Sequence, residues 1–306
     1  MAKILAIGEI VFDQFIFLNN FPNNGEKITA QNEINTLGGT VALMSLLFKK
    51  LNNQVILYGN LGIDNEGIYL SEFVRRVKID FYPIIQPKTL KNIILIDSQT
   101  KKRTIIKRKF ERRLIDIGQI DLNHLKNADI IVVDRHHLHL FSFINENKKK
   151  EALFLFDPST QNNVKIVNFL KMLTINIIPI EFLELKKNDQ ILIKEKVKKL
   201  FGELTTIVTA NGDGVYLFDK KNSYQLPAID INPVDVTGAG DVFRAAFLNN
   251  YYKNKNLVES TIFANIVAGL QCSRIGSGSA IPSKKEINNF LLKNPIKSYL
   301  NLLKKI

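Results

Sequence analysis

The sequence predicts an α/β fold built around a mostly parallel sheet. Three observations carry this. Apolar strand-like runs alternate with stretches of helical period along most of the chain. Several runs are continuously apolar and end in aspartate, as in ADIIVVD (128–134) and EALFLFD (151–157), the pattern of strands buried on both faces. A Gly-Ala-Gly turn at 238–240 then leads straight into an apolar helix. Sheets of this kind place ligands at the carboxyl ends of their strands.

In chain order, KILAIGEIVF (3–12) reads as a strand and TVALMSLLFKKL (40–51) as a helix with apolar residues at helical spacing. QVILYGNLG (54–62) follows as a strand and GIYLSEFVRRV (67–77) as a helix. NIILIDS (92–98) and RTIIKRKF (103–110) read as a strand pair joined by a polar turn at Ser98–Lys102. After the two aspartate-terminated runs come LTINIIPI (173–180) and LTTIVTA (204–210), with GVYLFD (214–219) continuing the latter. FDQFIFLNNF (12–21) and EKITAQNEI (26–34) alternate in part and do not fit helix-covered strands. With the 92–110 pair they are expected to form a small separate sheet, a lid over a site on the main body. No internal repeat, low-complexity tract or Pro/Gly/Ser-rich linker divides the chain, so 1–306 is expected to be a single domain with the lid, about 13–37 and about 90–112, inserted in it.

The chain has 306 residues, 45% hydrophobic and 23% charged, which excludes a disordered or collagen-like chain. One cysteine, Cys272, allows no intrachain disulfide and suits a reducing, cytoplasmic setting. No apolar run is long enough to span a bilayer, and the N-terminus reads as a first strand, not a signal peptide. No membrane association is expected. The net charge is +13, from 42 Lys and Arg against 29 Asp and Glu, and most of the lysines are scattered. A polyanion-binding protein is one reading of that charge. No helix-turn-helix, aromatic-basic RNA motif or zinc knuckle supports it, so no nucleic-acid partner is expected.

The segment with the most chemistry in it is VDVTGAGDVFRAAFL (234–248). Gly238 and Gly240 permit a tight turn and close backbone approach to a ligand. The N–H groups of Gly238, Ala239 and Gly240 open a helix, where exposed N–H groups and the helix dipole bind anions. Asp241 stands at the mouth of that anion site. It reads either as an ordinary acidic residue stabilised by the dipole or as a base that takes the proton of an attacking hydroxyl.

DVTGAGDVFRAAF resembles the C-terminal signature of the ribokinase-like (PfkB) carbohydrate kinase family, Asp-Thr-Xaa-Gly-Ala-Gly-Asp-Xaa-Phe. The N-terminal half is similar to the family in the same order. It has Gly8, Glu9 and Asp13 after the first strand, then Pro22 to Glu26, the Gly38-Gly39 pair before a helix, and GNLGIDNEG (59–67). The resemblance runs from about residue 4 to 290. It implies a three-layer αβα fold with a small β-sheet lid, and an ATP-dependent transfer of the γ-phosphoryl group to a sugar hydroxyl.

Residue by residue, the resemblance makes Asp241 the base and the N–H groups of Gly238, Ala239 and Gly240 the anion hole. Asp13 would bind substrate hydroxyls, and Gly38 and Gly39 would let the lid approach the substrate and act as its hinge. VTANGDGVY (208–216) resembles the family's nucleotide turn, placing Thr209, Gly212 and Gly214 at ATP, with Asn211 where the family has glycine. Asn265 lies on the late helix that contacts adenine or ribose. SRIGSGSAIPS (273–283) resembles a loop that also helps to hold a monovalent cation such as K⁺. Asp235 and the carbonyls of Thr237, Arg274 and Gly276 would be its ligands. Ala280 stands where potassium-dependent members have serine, which counts against that site. Mg²⁺ would travel with the nucleotide phosphates.

Some positions depart from the family. Leu43 replaces a common sugar-binding asparagine. The Asn-Xaa-Xaa-Glu motif that organises Mg²⁺ and phosphate is replaced at Ile180 and Leu183, leaving Glu181 or Glu184 to take part of its role. VVDRHHLHL (132–140) makes Asp134, Arg135 and His136 candidate substrate contacts. Zinc at His136, His137 and His139 is not expected, since consecutive histidines do not share one face.

The run KKRTIIKRKFERR (101–113) holds eight basic residues and one acid. It reads as a solvated strand edge, where basic residues discourage pairing, or as a binder of a phosphate already on the substrate through Arg103, Lys107 or Arg108. A second subunit's lid over this edge would give a homodimer. A sugar kinase is the reading these features favour. A sugar-phosphate kinase, a nucleoside kinase clamped by Phe15 and Phe17, and a catalytically inactive ligand-binding relative remain as alternatives.

Overall fold

The computed structural model describes residues 1–100, 102–109, 112–185 and 189–306. Parts of the 101–113 run, Lys101, Phe110 and Glu111, lie outside the described residues. The first elements are β1 (Lys3–Gly8), β2 (Val11–Leu18), β3 (Asn32–Gly38), α1 (Thr40–Lys50), β4 (Gln54–Gly62), α2 (Asn65–Arg76), β5 (Asp80–Gln86), β6 (Leu90–Asp97) and β7 (Arg103–Lys107). The middle adds α3 (Leu122–Asn127), β8 (Ile130–Val133), α4 (Phe141–Asn147), β9 (Leu153–Phe156), α5 (Val164–Leu170), β10 (Asn176–Pro179) and α6 (Gln190–Phe201). The last part holds β11 (Thr206–Thr209), β12 (Val215–Phe218), β13 (Ser223–Leu226), α7 (Ala239–Asn254), α8 (Leu257–Cys272), α9 (Lys284–Lys293), α10 (Ile296–Leu300) and β14 (Lys304–Lys305).

The parallel core is the sheet β5-β4-β1-β8-β9. A second sheet runs β10-β11-β12-β13-β14, parallel at its first pair and antiparallel beyond. A glycine-containing hairpin causes the change: β11 returns into β12 through the tight 210–214 turn, too short for a parallel crossover. Helices cover both faces. On β1, Ile4 and Ala6 join a core shared with α1, α7 and α8, while Leu5 and Ile7 join one shared with α3, α4, α5 and α6. Both cores also take residues from β10, β11 and β12, so the two sheets are sandwiched between the same two helical layers. Eight consecutive residues of α1, Val41 to Phe48, are buried, as expected of a helix packed on all sides.

The run 3–12 is not one strand. It breaks at Glu9 and Ile10, and the chain leaves the parallel sheet to enter a four-stranded sheet ordered β3-β2-β6-β7. A continuous apolar pattern concealed this break, because both strands are buried. The second early strand also starts later than its alternation suggested, at Asn32 rather than Glu26. The small sheet mixes antiparallel and parallel pairs, with β2 parallel to β6. Its own apolar cluster is Phe15, Phe17, Ile94 and Ile96, closed by Ile34 and by Ile275 from the 273–283 loop.

Candidate active site

A cavity of about 260 Å³ lies between the small sheet and the carboxyl ends of the parallel strands. Two helix starts meet there. Gly39 (φ 97°) precedes α1 and Gly238 (φ 78°) precedes α7, and both conformations favour glycine. The starts touch: a Cβ on Gly238 would come within 2.9 Å of Leu43 Cδ1. Leu43 packs against the turn and lines the cavity, so the departure from the family's asparagine puts an apolar side chain in the site.

Asp241 sits in the first turn of α7 and lines the cavity. Burial pushes its carboxyl up to about 7, with Arg244 pulling the other way and Asp157 adding to the rise. Arg244 is itself fixed by a buried ion pair to Asp157, at the end of β9, with Nη2 2.9 Å from Oδ1. Its Nη1 lies 3.4 Å from Asp241 Oδ1. Burial thus raises this carboxyl where two helix N-termini meet, which suits it to accept a proton. Of the three N–H groups expected to face an anion, that of Ala239 donates to the Val236 carbonyl at 3.2 Å. Of the other two, Gly238 lines the cavity.

Asp13, on β2, is buried with its oxygens held from two sides. Asn92 Nδ2 donates to Oδ1 at 2.8 Å and Ser277 Oγ to Oδ2 at 2.7 Å. Desolvation raises its pKa, against those two hydrogen bonds. Gly38 is required beside it: a Cβ there would lie 2.0 Å from Asp13 Oδ2. Phe15 and Phe17 share the face of Asp13 but are consumed by contacts with Ile94, Ile96 and Ile275, so neither clamps the cavity.

Asp134 caps a short 3₁₀ turn, Arg135–Leu140. Its Oδ1 accepts from the His136 N–H at 3.0 Å and meets His137 Nδ1 at 2.7 Å, while Oδ2 accepts from Glu9 N–H at 2.6 Å. These oxygens are engaged internally, although Asp134 lines the cavity together with Arg135 and His136. Burial lowers His136 to about 4, so it is neutral at physiological pH. The three histidines of the run go to three partners: Glu9, Asp134 and the Ile115 carbonyl.

The expected nucleotide residues cluster at the carboxyl end of β11. Gly214 (φ 89°) passes so close to the next strand that a Cβ would meet Leu226 O at 2.1 Å. Asn265 Nδ2 donates to Pro227 O at 2.8 Å, tying α8 to the same segment. Gly212 has open space above it, and Thr209 ends the strand below. Asn211 (φ 50°) donates to Glu181 Oε1 at 2.9 Å, while Ile180 and Leu183 are buried in the core. Glu184 adopts the left-handed conformation at the end of that turn.

A family model described as pfkB family carbohydrate kinase matches residues 1–284. The chain belongs to the pfkB family of carbohydrate kinases. It is 26% identical to the ribokinase of Lactococcus lactis subsp. lactis (strain IL1403), covering 98% of this chain and 100% of that protein. It is 24% identical to the bifunctional protein HldE of a Nitratiruptor species, covering 97% of this chain and 67% of that protein. Thermotoga maritima ribokinase superposes with a TM-score of 0.79 at 23% identity, over 95% of this chain and 100% of that one. Arabidopsis thaliana ribokinase, solved with ribose and ATP, superposes with a TM-score of 0.77 at 20% identity, over 95% and 98%. The ribokinase-like fold read from the motifs is thus the fold observed.

Several residues of this pfkB-family site escaped sequence reading. Asn92, Thr40, Asp157 and Arg244 each touch Asp13 or Asp241 or their partners. Only Arg244 had a signal, three residues after Asp241 on the same helix face. The basic run is more than edge decoration. Lys107, Arg108 and Arg112 line the cavity, and Arg103 reaches Asp235. Arg108 is paired with Asp64 and Glu66, and Arg112 with Glu9. Among the described residues no helix is long and apolar enough to cross a membrane.

Proposed function

We propose that this chain is an ATP-dependent sugar kinase acting as one unit over 1–306, with the small sheet as its lid. The observation that carries this is Asp241, a carboxylate raised to about 7 at the start of α7 and facing the lid-covered cavity. Asp13 and Asn92 hold the acceptor sugar by its hydroxyls. Asp241 takes the proton of the attacking hydroxyl, and Arg244 keeps that carboxyl from rising further. The Gly238 and Gly240 N–H groups face the charge that develops on the transferred group. ATP with Mg²⁺ supplies the phosphoryl group. The cradle of Thr209, Gly212, Gly214 and Asn265 suits a nucleotide, because Gly212 leaves its backbone open to close approach while Gly214 allows the turn to pack against the 226–228 segment.

A second reading is favoured by one observation. Lys107 and Arg135 line the cavity and form no ion pair among the described residues. They suit an acceptor that already bears an anionic group.

The test is ADP release across sugars, sugar phosphates and nucleosides, with Asp241→Asn beside wild type. Turnover with one acceptor, reduced at least ~10²-fold in the variant, is expected. Near-normal turnover of Asp241→Asn would sink the assignment of the base.

A further inference from the structure

Of the oxygens that the family resemblance gives to a monovalent cation, those of Asp235 and the carbonyls of Thr237 and Gly276 are occupied here by the chain's own donors. Arg103 Nη1, from edge strand β7, lies 2.9 Å from Asp235 Oδ1 and also donates to Thr237 Oγ1. Asp235 Oδ1 further accepts from Thr237 N–H at 2.9 Å and from its hydroxyl at 2.6 Å, while Oδ2 accepts from Gly276 N–H at 3.0 Å. The carbonyls are taken from the opposite side. Gln271, buried on α8, places Nε2 3.2 Å from Thr237 O, 3.1 Å from Gly276 O and 3.0 Å from Ser277 O. An amide nitrogen carries two hydrogens, so the three carbonyls share them. Gln271 Oε1 is buried with no partner among the described residues. The amide orientation is therefore set by the carbonyl cluster alone.

These residues do not fit a bound cation. Hydrogens aimed into the middle of an oxygen cluster repel a positive ion and fill the space it needs. They do, however, perform its electrostatic work. A guanidinium beside Asp235 places one positive charge against the turn that runs from Asp235 to Gly238 and opens α7. That charge is carried by the small sheet, 132 residues away in sequence.

We propose that Arg103, with the Gln271 amide behind it, replaces the monovalent cation in this protein. Arg103 is a positioning residue: it neutralises Asp235 and fixes the turn before the anion-binding start of α7, and the turn is complete only when the small sheet covers the cavity. The proposal rests on the kinase reading for what the turn does, but not for what occupies the oxygens. The chain therefore needs no K⁺.

The experiment has two arms. In the first, thermal melting is compared in KCl and in tetramethylammonium chloride at equal ionic strength, with no substrate. Wild type is expected to melt at the same temperature in both, and Arg103→Ala combined with Gln271→Ala, which frees Asp235 and the carbonyls together, is expected to gain a K⁺-specific rise. In the second, turnover is measured in the same salts. Wild type is expected to be unchanged within about twofold. Arg103→Ala is expected to fall roughly 10–10²-fold in kcat and to recover with added guanidinium ion, while Arg103→Lys stays K⁺-independent. A K⁺-specific rise in wild-type melting or turnover overturns the proposal. So does a double variant, Arg103→Ala with Gln271→Ala, whose melting ignores K⁺. If Arg103→Ala does not fold, Arg103→Met keeps the aliphatic stem and is read the same way. Absence of turnover in wild type with every acceptor would count against the kinase reading and leave the melting arm to decide the cation question.

Discussion

Arg244 Nη2 lies 2.9 Å from Asp157 Oδ1, and the same guanidinium reaches Asp241 with its other nitrogen. One arginine thus joins the end of β9 to the first turn of α7 and stands between two carboxylates. Removing it strands Asp157 in a buried place and leaves Asp241 with no opposing cation beside it. Breaking a buried pair by deleting one partner costs about 3–5 kcal/mol. Arg244→Met is expected to lower the melting temperature by that equivalent and to move the acid limb of the rate profile to higher pH, since Arg244 pulls the Asp241 carboxyl down. A stable Arg244→Met enzyme with an unmoved acid limb would mean that Asp241 is tuned by burial alone.

The pH dependence has two signs to check. For activity, Asp241 must be unprotonated to accept a proton. With its carboxyl near 7, kcat/KM is expected to fall about tenfold per pH unit below neutrality. For stability, a folded pKa above the ordinary 3.8 means that the folded state binds the extra proton between about 4 and 7. Stability contributed by the protonated group is present below about 4 and is lost as pH rises through about 7. Asp241→Asn is expected to be more stable than wild type at pH 8, by at most ~4 kcal/mol, and to lose that advantage at pH 4. Melting curves of the pair at both pH values decide it, and equal curves at pH 8 would refute the raised carboxyl.

The parts of this site that were legible in the sequence are local. Gly238 to Asp241 sit in one turn, and their chemistry follows from a glycine pair opening a helix. Gly38, Gly39 and the hairpin of β6 with β7 are likewise short-range. What stayed hidden depends on chain segments that meet only in the fold. Asn92 reaches Asp13 because β2 and β6 pair in parallel, and Arg103 on the small sheet reaches Asp235 on the segment before α7. Gln271, a polar residue on α8 with no motif around it, is fully buried under three carbonyls. The break at Glu9 was hidden because strand-like residues continue on either side of it. Apolar pattern reports burial, not which sheet does the burying.

Gly38 offers a test of the Asp13 assignment that leaves Asp13 in place. Its Cα faces the carboxylate so closely that an added Cβ would sit 2.0 Å from Oδ2. Gly38→Ala must push Asp13 away from Asn92 and Ser277, because β3 is hydrogen-bonded to β2 and cannot move alone. Acceptor KM is expected to rise ~10-fold or more, the equivalent of one charge-assisted hydrogen bond, with ATP KM nearly constant. Equal changes in both constants would point to a general collapse of the small sheet.

The last prediction separates the neutral-sugar reading from the anionic one. Six cationic or imidazole side chains line the cavity: Lys91, Lys107, Arg108, Arg112, Arg135 and His136. Lys91 and Arg108 are paired with Glu66, and Arg112 with Glu9. His136 is held neutral by burial. That leaves Lys107 on the small sheet and Arg135 at the strand end, the latter donating to the Ser159 hydroxyl, with Nη1 2.9 Å from Oγ. If the acceptor bears a phosphate or carboxylate, these two receive it. Lys107→Ala and Arg135→Ala are then expected to raise KM for that acceptor by ~10–10²-fold, the worth of a hydrogen bond to a charged group. The neutral parent sugar, a poor substrate for wild type, would be used equally well by all three proteins. Should the two variants bind the preferred acceptor as wild type does, the positive lining serves to balance Glu9, Asp13 and Asp134, and the acceptor is a neutral sugar.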